Sequence, residues 1–189
     1  MKTFFDAVAP LYEKLRPGAR GVFEKITNLV EFKQSDKIID IGGGTGAIAQ
    51  FFVGKVDTIE VVDPSSKMIE RCRRHSGISC AVGSGESLPF ANKSVDKVIL
   101  VDALHHITDQ EKTIQEIKRV LKKDGTAIIA EYNPESFGGN LIVLLEKLLR
   151  LGSIFHTPSQ LTATFAKHGF SVQIIDEGKK DYFLIAKML

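Results

Sequence analysis

Short apolar runs alternate with amphipathic segments along most of the chain, and each run ends at a glycine, a proline or a polar cluster. Nearly continuous apolar runs of five to seven residues predict strands that are buried on both faces. The predicted strands are Lys37 to Ile41, Thr58 to Val62, Ile78 to Val82, Val95 to Val101 and Thr126 to Ala130.

Helices are predicted between these strands. The segment Ala47 to Val53 is closed by Gly54, and a helix capped by Ser65 or Ser66 runs to about Arg74. Gln110 to Lys122 carries an apolar stripe, and we expect Gly125 to end that helix. Alternating strands and helices predict a parallel sheet, because parallel neighbours require crossover connections.

The end of the chain has a different pattern. Thr157-Pro158-Ser159-Gln160 is a capping box with proline at the first helical position, and its helix should stop at Gly169. Phe170 to Ile175 and Tyr182 to Lys187 then follow with too few residues between them for a crossover helix. We therefore expect an antiparallel final pair, and an α/β Rossmann-like fold: a seven-stranded, mostly parallel sheet with an antiparallel last strand and helices on both faces.

The composition indicates one globular domain of 189 residues, with 43% hydrophobic and 25% charged residues. A net charge of +2 gives no electrostatic footprint for a nucleic acid, so no nucleic-acid partner is expected. No signal peptide or membrane span is predicted, and the expected location is the cytoplasm. Two cysteines, Cys72 and Cys80, are too few and too close in sequence to indicate a disulfide framework. Both are expected to pack as apolar side chains.

The chain is predicted to be a single domain, 1–189, that includes two additional helical segments. Residues 1–31 are predicted to form an N-terminal helical cap with an apolar face that includes Tyr12. Residues 138–156 are predicted to form an apolar helical lid or insertion, because Leu141 to Leu151 is apolar nearly all round. Such a helix is buried, covers an apolar pocket or meets a partner, and a homodimer contact is one expectation.

The strongest motif is the loop Asp40-Ile41-Gly42-Gly43-Gly44-Thr45-Gly46, between a strand and a helix. Such glycines let a ligand approach the backbone closely at the carboxyl end of a strand. The loop also fits a dinucleotide fingerprint, but the carboxylate of Asp40 would repel a pyrophosphate and favours a cationic methionyl group. Asp63, about 20 residues further on, suits the ribose hydroxyls of either cofactor. No chain remains for a second mononucleotide half, so S-adenosylmethionine (SAM) is the predicted cofactor.

Several motifs in the right order resemble the class I SAM-dependent methyltransferases, and most closely the methyltransferase type 11, or UbiE-like, subgroup. The resemblance covers the motifs from Lys37 to Asn133 and the order of elements over the whole chain. The matching pieces are Ile39 to Gly46, Val62 to Ser65, Glu86 to Phe90, Ser94 to Asp96, Leu104 to Ile107 and Arg119 to Gly125.

The resemblance implies a set of cofactor contacts by position. The loop residues would line the methionine and ribose side of SAM, the acid after the second strand would hold the ribose hydroxyls, and the residues after the third and fourth strands would meet the adenine and the sulfonium. In chain order the implied residues are Asp40, Gly42, Gly44, Gly46, Asp63, Pro64, Met68, Ser84, Gly85, Asp102 and Ala103. The family usually has an aspartate where this chain has Ser84. A hydroxyl can accept the same hydrogen bond but without charge assistance.

No catalytic residue stands out, since the chemistry chiefly needs a donor and an acceptor to be aligned. His105 and Tyr12 are the candidates for removing a proton from the acceptor, and His105 could equally shape the pocket as a polar loop residue. No metal site is predicted, because no further histidine or cysteine ligands surround His105 and His106.

The predicted function is methyl transfer from SAM to a small-molecule acceptor, which could be hydrophobic, with S-adenosylhomocysteine as the product. The alternatives are a non-catalytic SAM-binding or regulatory protein on the same fold and, more distantly, a nicotinamide oxidoreductase.

Overall fold

A seven-stranded sheet forms the centre of the computed structural model, which describes residues 5–7, 9, 18–176 and 180–189. The strands are β1 (Lys37–Ile41), β2 (Thr58–Asp63), β3 (Ser79–Val82), β4 (Val95–Val101), β5 (Leu121–Tyr132), β6 (Phe170–Asp176) and β7 (Asp181–Met188). The helices are α1 (Ala19–Leu29), α2 (Ser66–Cys72), α3 (Gln110–Val120), α4 (Phe137–Leu148) and α5 (Pro158–Lys167), with 3₁₀ turns at Ala49–Phe52 and Leu104–His106.

The strand order across the sheet is β3-β2-β1-β4-β5-β7-β6. Strands β1 to β5 pair in parallel, whereas β7 is antiparallel to both β5 and β6. The predicted Rossmann-like sheet and its antiparallel final pair are therefore confirmed.

Neighbouring residues of each central strand contribute to two separate apolar clusters. Ile39 belongs to a cluster that includes Ile117 of α3 and Phe165 of α5, whereas the adjacent Ile38 belongs to one that includes Ile26 of α1. Because successive strand side chains point to opposite faces, the two clusters are the cores on the two faces of the sheet.

Two predicted helices have different bounds in the structure. Ala47 to Val53 is not an α-helix, and only the short 3₁₀ turn Ala49–Phe52 forms there. Helix α3 ends at Val120 rather than Lys122, because Leu121 is already extended and pairs with Val95. Gly125 consequently lies inside β5, where an added Cβ would be 2.8 Å from the carbonyl oxygen of Lys122.

The expectation that Cys72 and Cys80 only pack was wrong. The two residues form a disulfide bond with their Cα atoms 6.2 Å apart. Cys72 ends α2, which returns the chain from β2 to β3, and Cys80 lies in β3. The crossover thus brings the two thiols together, which their sequence spacing did not reveal.

Helix α4 covers much less of the core than its composition suggests. Gly139 is its only buried residue, while Leu141, Leu144 and Leu148 are 60%, 60% and 78% exposed. Within the described residues, no helix has the length and apolarity needed to cross a membrane.

Candidate functional site

A cavity of about 250 Å³ lies at the carboxyl ends of β1, β2, β3 and β4. Open α/β sheets bind their ligands at this edge. The described residues that line it are Phe5, Ile41, Gly42, Gly44, Val62, Asp63, Pro64, Ser65, Met68, Ser84, Gly85, Glu86, Asp102, Ala103, His106, Ile107 and Thr108.

The wall formed by the glycine loop depends on the close approach of two loops. Gly42 has a φ of 70°, and its N–H donates to the carbonyl oxygen of Val62 at 2.7 Å. A Cβ at Gly42 would come within 2.6 Å of the Cβ of Ala103, which follows β4. Glycine is required here both by the left-handed backbone and by the lack of space.

Asp63 connects the second strand to the glycine loop. Its Oδ2 accepts from the N–H of Gly44 at 3.0 Å, and its Oδ1 accepts from the N–H of Ser65 at 2.8 Å. Burial raises the pKa of Asp63 to about 6; the two N–H donors oppose that rise, and the charge of Asp6 adds to it. Each carboxylate oxygen can accept a second hydrogen bond, so the side chain can also bind hydroxyl groups in the cavity.

Among the described residues, the carboxylates are the dominant charged groups that line the cavity. The lining includes three carboxylates, those of Asp63, Glu86 and Asp102, and no lysine or arginine among the described residues. Asp102 has a φ of 49°, an uncommon backbone conformation for a non-glycine residue, and its N–H donates to Ala130 at 2.9 Å. The cavity suits a cationic ligand, and its described lining offers no lysine or arginine to a pyrophosphate.

Nine of the eleven cofactor contacts expected from the resemblance line this cavity, and two lie behind it. Asp40 is buried, and its Oδ2 would be 2.5 Å from a Cβ at Gly43, so its carboxylate lies against the loop backbone. Gly46 faces α2 instead, because a Cβ there would be 3.2 Å from Sγ of Cys72. Tyr12 lies outside the described residues.

The described part of the N-terminal segment contacts the cavity rim. Phe5 lines the cavity, and its ring meets the ring of His106 edge-on at 4.9 Å. The hydroxyl of Ser65, which caps α2 by accepting from the N–H of Met68, donates to Oδ1 of Asp6 at 2.5 Å. These contacts connect the segment to two sides of the site, the residues after β4 through His106 and the residues after β2 through Ser65.

Beside the cavity, a cluster of histidines and glutamates assembles from three elements. His105 and His106 lie in the 3₁₀ turn after β4, Glu131 lies near the end of β5, and Glu146 lies on α4. Nδ1 of His105 donates to Oε2 of Glu131 at 2.5 Å, and its Nε2 is 3.5 Å from Oε1 of Glu146. Nδ1 of His106 is 3.9 Å from Oε2 of Glu146.

The groups around this cluster shift the pKa values of the two histidines in opposite directions. Burial alone lowers the pKa of His105, but Glu131 and then Glu146 outweigh it and raise that pKa to about 10. Burial, and then the charge of His105, lower the pKa of His106 to about 4. The two glutamates therefore favour the protonated form of His105, and in that form the ring has no lone pair with which to accept a proton.

Sequence reasoning had missed both glutamates. Glu131 is a charged residue directly after the predicted strand Thr126 to Ala130, and that position was a usable signal. Glu146 gave no such signal, since it is 40 residues from His106 within a leucine-rich segment. The prediction of no metal site rested on the absence of nearby ligands, and the fold supplies Glu146 as a third one.

The comparisons with known proteins agree with this geometry. Residues 39–129 match the family model described as a methyltransferase domain. The chain is 29% identical over 140 residues to the ubiquinone/menaquinone biosynthesis C-methyltransferase UbiE of Rubrivivax gelatinosus, covering 70% of this chain and 56% of that protein. It is 30% identical over 138 residues to the demethylmenaquinone methyltransferase of Thermotoga maritima, covering 69% and 60%. The chain thus spans less than two thirds of the length of these relatives.

A solved structure extends the match to the whole fold. A SAM-dependent methyltransferase of Thermotoga maritima, described as a possible histamine N-methyltransferase, superposes with a TM-score of 0.85 over 100% of both chains at 23% identity. Residues 39–129 therefore form a methyltransferase domain, and the whole chain, with this fold and the acid-lined cavity at the strand ends, is similar to the class I SAM-dependent methyltransferases of the UbiE-like type.

Proposed function

We propose that this protein binds SAM in the cavity at the strand ends and transfers its methyl group to a small-molecule acceptor. The observation that carries the proposal is the lining of that cavity. The described lining residues include three carboxylates, one of which, Asp63, suits ribose hydroxyls, and they include no lysine or arginine. This lining matches a sulfonium cofactor with an α-ammonium group.

The roles of the lining residues follow from their places at the strand ends. Asp63 binds the ribose hydroxyls while its other lone pairs hold the loop N–H groups. Ser84 and Gly85 are assigned to the adenine, and Asp102 and Ala103 to the methionine end. When bound, SAM supplies an activated methyl group that a nucleophilic acceptor atom displaces in line, which leaves S-adenosylhomocysteine. The protein aligns the two reactants and excludes water.

The acceptor is proposed to be small and partly apolar. Phe5 and Ile107 give the cavity wall two apolar side chains, and the ring of Phe5 meets the ring of His106 there. The apolar segment 138–156 contacts the histidine cluster through Glu146, Ser153 and Phe155, and it is proposed as the lid or insertion on that side. Residues 1–31 are proposed as the N-terminal cap, in keeping with the contacts of Phe5 and Asp6.

An acceptor screen with S-adenosylhomocysteine as the readout tests the proposal, beginning with hydrophobic small molecules. Calorimetry with SAM and with NAD precedes it. Binding of SAM with turnover of at least one acceptor supports the proposal. Tight SAM binding with no product across a broad panel favours a non-catalytic SAM-binding protein, and binding of NAD without SAM overturns the cofactor assignment.

Two further proposals concern the oligomeric state and the location of the protein. The exposed leucines of α4 suit contact with a second copy of the chain, and light scattering of the wild type and of Leu144→Glu with Leu148→Glu measures whether a homodimer depends on them. A cytoplasmic location is proposed as well, and cell fractionation tests it.

A further inference from the structure

The ring of His105 is held in one orientation by groups that do not touch the cofactor cavity. Glu131 accepts from Nδ1 of His105 through Oε2, and its Oε1 accepts from the backbone N–H groups of Leu104 at 2.7 Å and His105 at 3.3 Å. On one face the ring stacks on Phe155, with centroids 4.5 Å apart and planes 14° from parallel. The position of the ring, and the nitrogen that faces Glu131, are thereby fixed.

This orientation leaves Nε2 of His105 buried and aimed at Glu146. The side chain is 2% exposed, and within the described part of the chain Nε2 is 3.5 Å from Oε1 of Glu146 without the geometry of a hydrogen bond. A buried polar atom without a hydrogen bond is costly, so the arrangement needs an explanation. Histidines that bind metals have this pattern: one ring nitrogen donates to a carboxylate and the other faces the ion.

The remaining groups stand at distances that suit a common ion. One ligand atom from each of His105, His106 and Glu146 lies within 4.8 Å of the other two. In a tetrahedral zinc site with bonds of about 2.0–2.1 Å, neighbouring ligand atoms are about 3.4 Å apart. Nε2 of His105 is 3.5 Å from Oε1 of Glu146, and Nδ1 of His106 is 3.9 Å from Oε2, so each histidine faces its own oxygen of one carboxylate. A small rotation of that carboxylate would present one or both oxygens to an ion held between the two rings.

We propose that Nε2 of His105, Nδ1 of His106 and the carboxylate of Glu146 bind one divalent first-row transition-metal ion. Two imidazoles with one carboxylate favour zinc, iron, nickel or copper over magnesium or calcium, which prefer oxygen ligands. The carboxylates of Glu131 and Glu146 balance the two positive charges of the ion. Three protein ligands leave a coordination position for water or another donor.

The position of the cluster connects the ion to the cofactor site. His106 lines the SAM cavity, and Glu146 lines a second cavity together with Val143, Ser153 and Phe155. The metal site therefore lies between the space assigned to SAM and an opening on the α4 side. The hydroxyl of Ser153, which contacts both His106 and Glu146, occupies part of this space and would turn away when an ion binds.

Zinc binding to the full chain, prepared without a histidine tag, tests the proposal. Competition with a chromophoric chelator should show one high-affinity Zn²⁺ per chain. His106→Ala and Glu146→Gln should each weaken binding at least 100-fold, and Glu131→Gln should weaken it about 10- to 100-fold because it only orients His105. His168→Ala is the matched control: Nε2 of His168 pairs with Glu111 at 2.8 Å on the surface, and its loss should change nothing.

A measurement on the wild type keeps the test independent of how the variants fold. In ¹⁵N-edited spectra of the histidine rings, one equivalent of Zn²⁺ should shift the ring nitrogens of His105 and His106 and leave those of His168 unchanged. Absence of stoichiometric binding, shifts confined to other histidines, or equal affinity in Glu146→Gln would each overturn the site. These outcomes do not depend on methyl transfer, so they are separate from a failure of the proposed function.

Discussion

Oδ2 of Asp63, at the end of β2, holds the N–H of Gly44 in the loop after β1 at 3.0 Å. The residue assigned to the ribose therefore also fixes the shape of the loop that encloses the cofactor. Replacing it should affect the cavity in two ways, through the lost ligand contact and through the released loop.

Asp63→Ala should weaken SAM binding by about 1–3 kcal/mol, or roughly 5- to 150-fold in Kd, because ribose hydroxyls would be left without an acceptor. Calorimetry measures the change. Asp57→Ala is the control, since Asp57 is an exposed acid just before the same strand. An unchanged Kd for Asp63→Ala would place the ribose elsewhere.

The affinity for SAM should fall as the pH drops through about 6, the pKa of Asp63 in the folded protein. Only the ionised carboxylate can accept from the hydroxyls while it holds the loop, so at pH 5 binding should be roughly tenfold weaker than at pH 7. The ligand-free fold behaves oppositely at this group. A folded pKa above the ordinary value of 3.8 means that stability decreases as the pH rises through about 6. Asp63→Asn should have a flat binding profile over this range, and a profile like that of the wild type would assign the pH dependence to another group.

Gly42→Ala should cost both stability and SAM affinity. The left-handed backbone alone costs an L-residue about 1–2 kcal/mol, and the new methyl group would collide with Ala103. Gly54→Ala separates the two effects, since Gly54 has a φ of 76° but open space around it. Urea unfolding should show a loss in both variants, larger in Gly42→Ala, whereas only Gly42→Ala should raise the Kd for SAM. Equal losses and equal affinities would show that the contact with Ala103 is unimportant.

Reducing the Cys72–Cys80 bond should lower the free energy of unfolding by about 2–3 kcal/mol, the entropic value for closing a loop with a sequence separation of 8. Urea unfolding with and without reductant measures it. The double variant Cys72→Ala with Cys80→Ala should be insensitive to reductant. A reductant effect of the same size in that variant would mean that the disulfide is not its cause.

Sequence reasoning predicted the features that depend on strand ends. The glycine loop and Asp63 both follow apolar runs, and parallel strands bring their carboxyl ends to one edge, so their meeting could be predicted without a structure. The end of α3 could not be predicted in this way. Leu121 suits a helix as well as a strand, and only its pairing with Val95 makes it the first residue of β5.

The partners of the two histidines could not be predicted from the sequence. His105 and His106 were visible as a pair, but their partners come from the end of β5 and from α4, whose packing no local pattern specifies. Similarly, Asp40 could be predicted to lie near the loop, but whether its side chain pointed into the cavity or beneath Gly43 was decided by the loop backbone.

Helix α4 supplies Glu146 to the histidine cluster, although only Gly139 among its twelve residues is buried. Few apolar contacts therefore hold this helix against the rest of the molecule, and its attachment and the filling of the cluster are thermodynamically linked. Whatever binds between His105, His106 and Glu146 clamps α4 in place. Conversely, a partner that covers the exposed leucines while α4 holds Glu146 next to the histidines raises the affinity of the cluster for its ligand, although the partner does not touch that ligand.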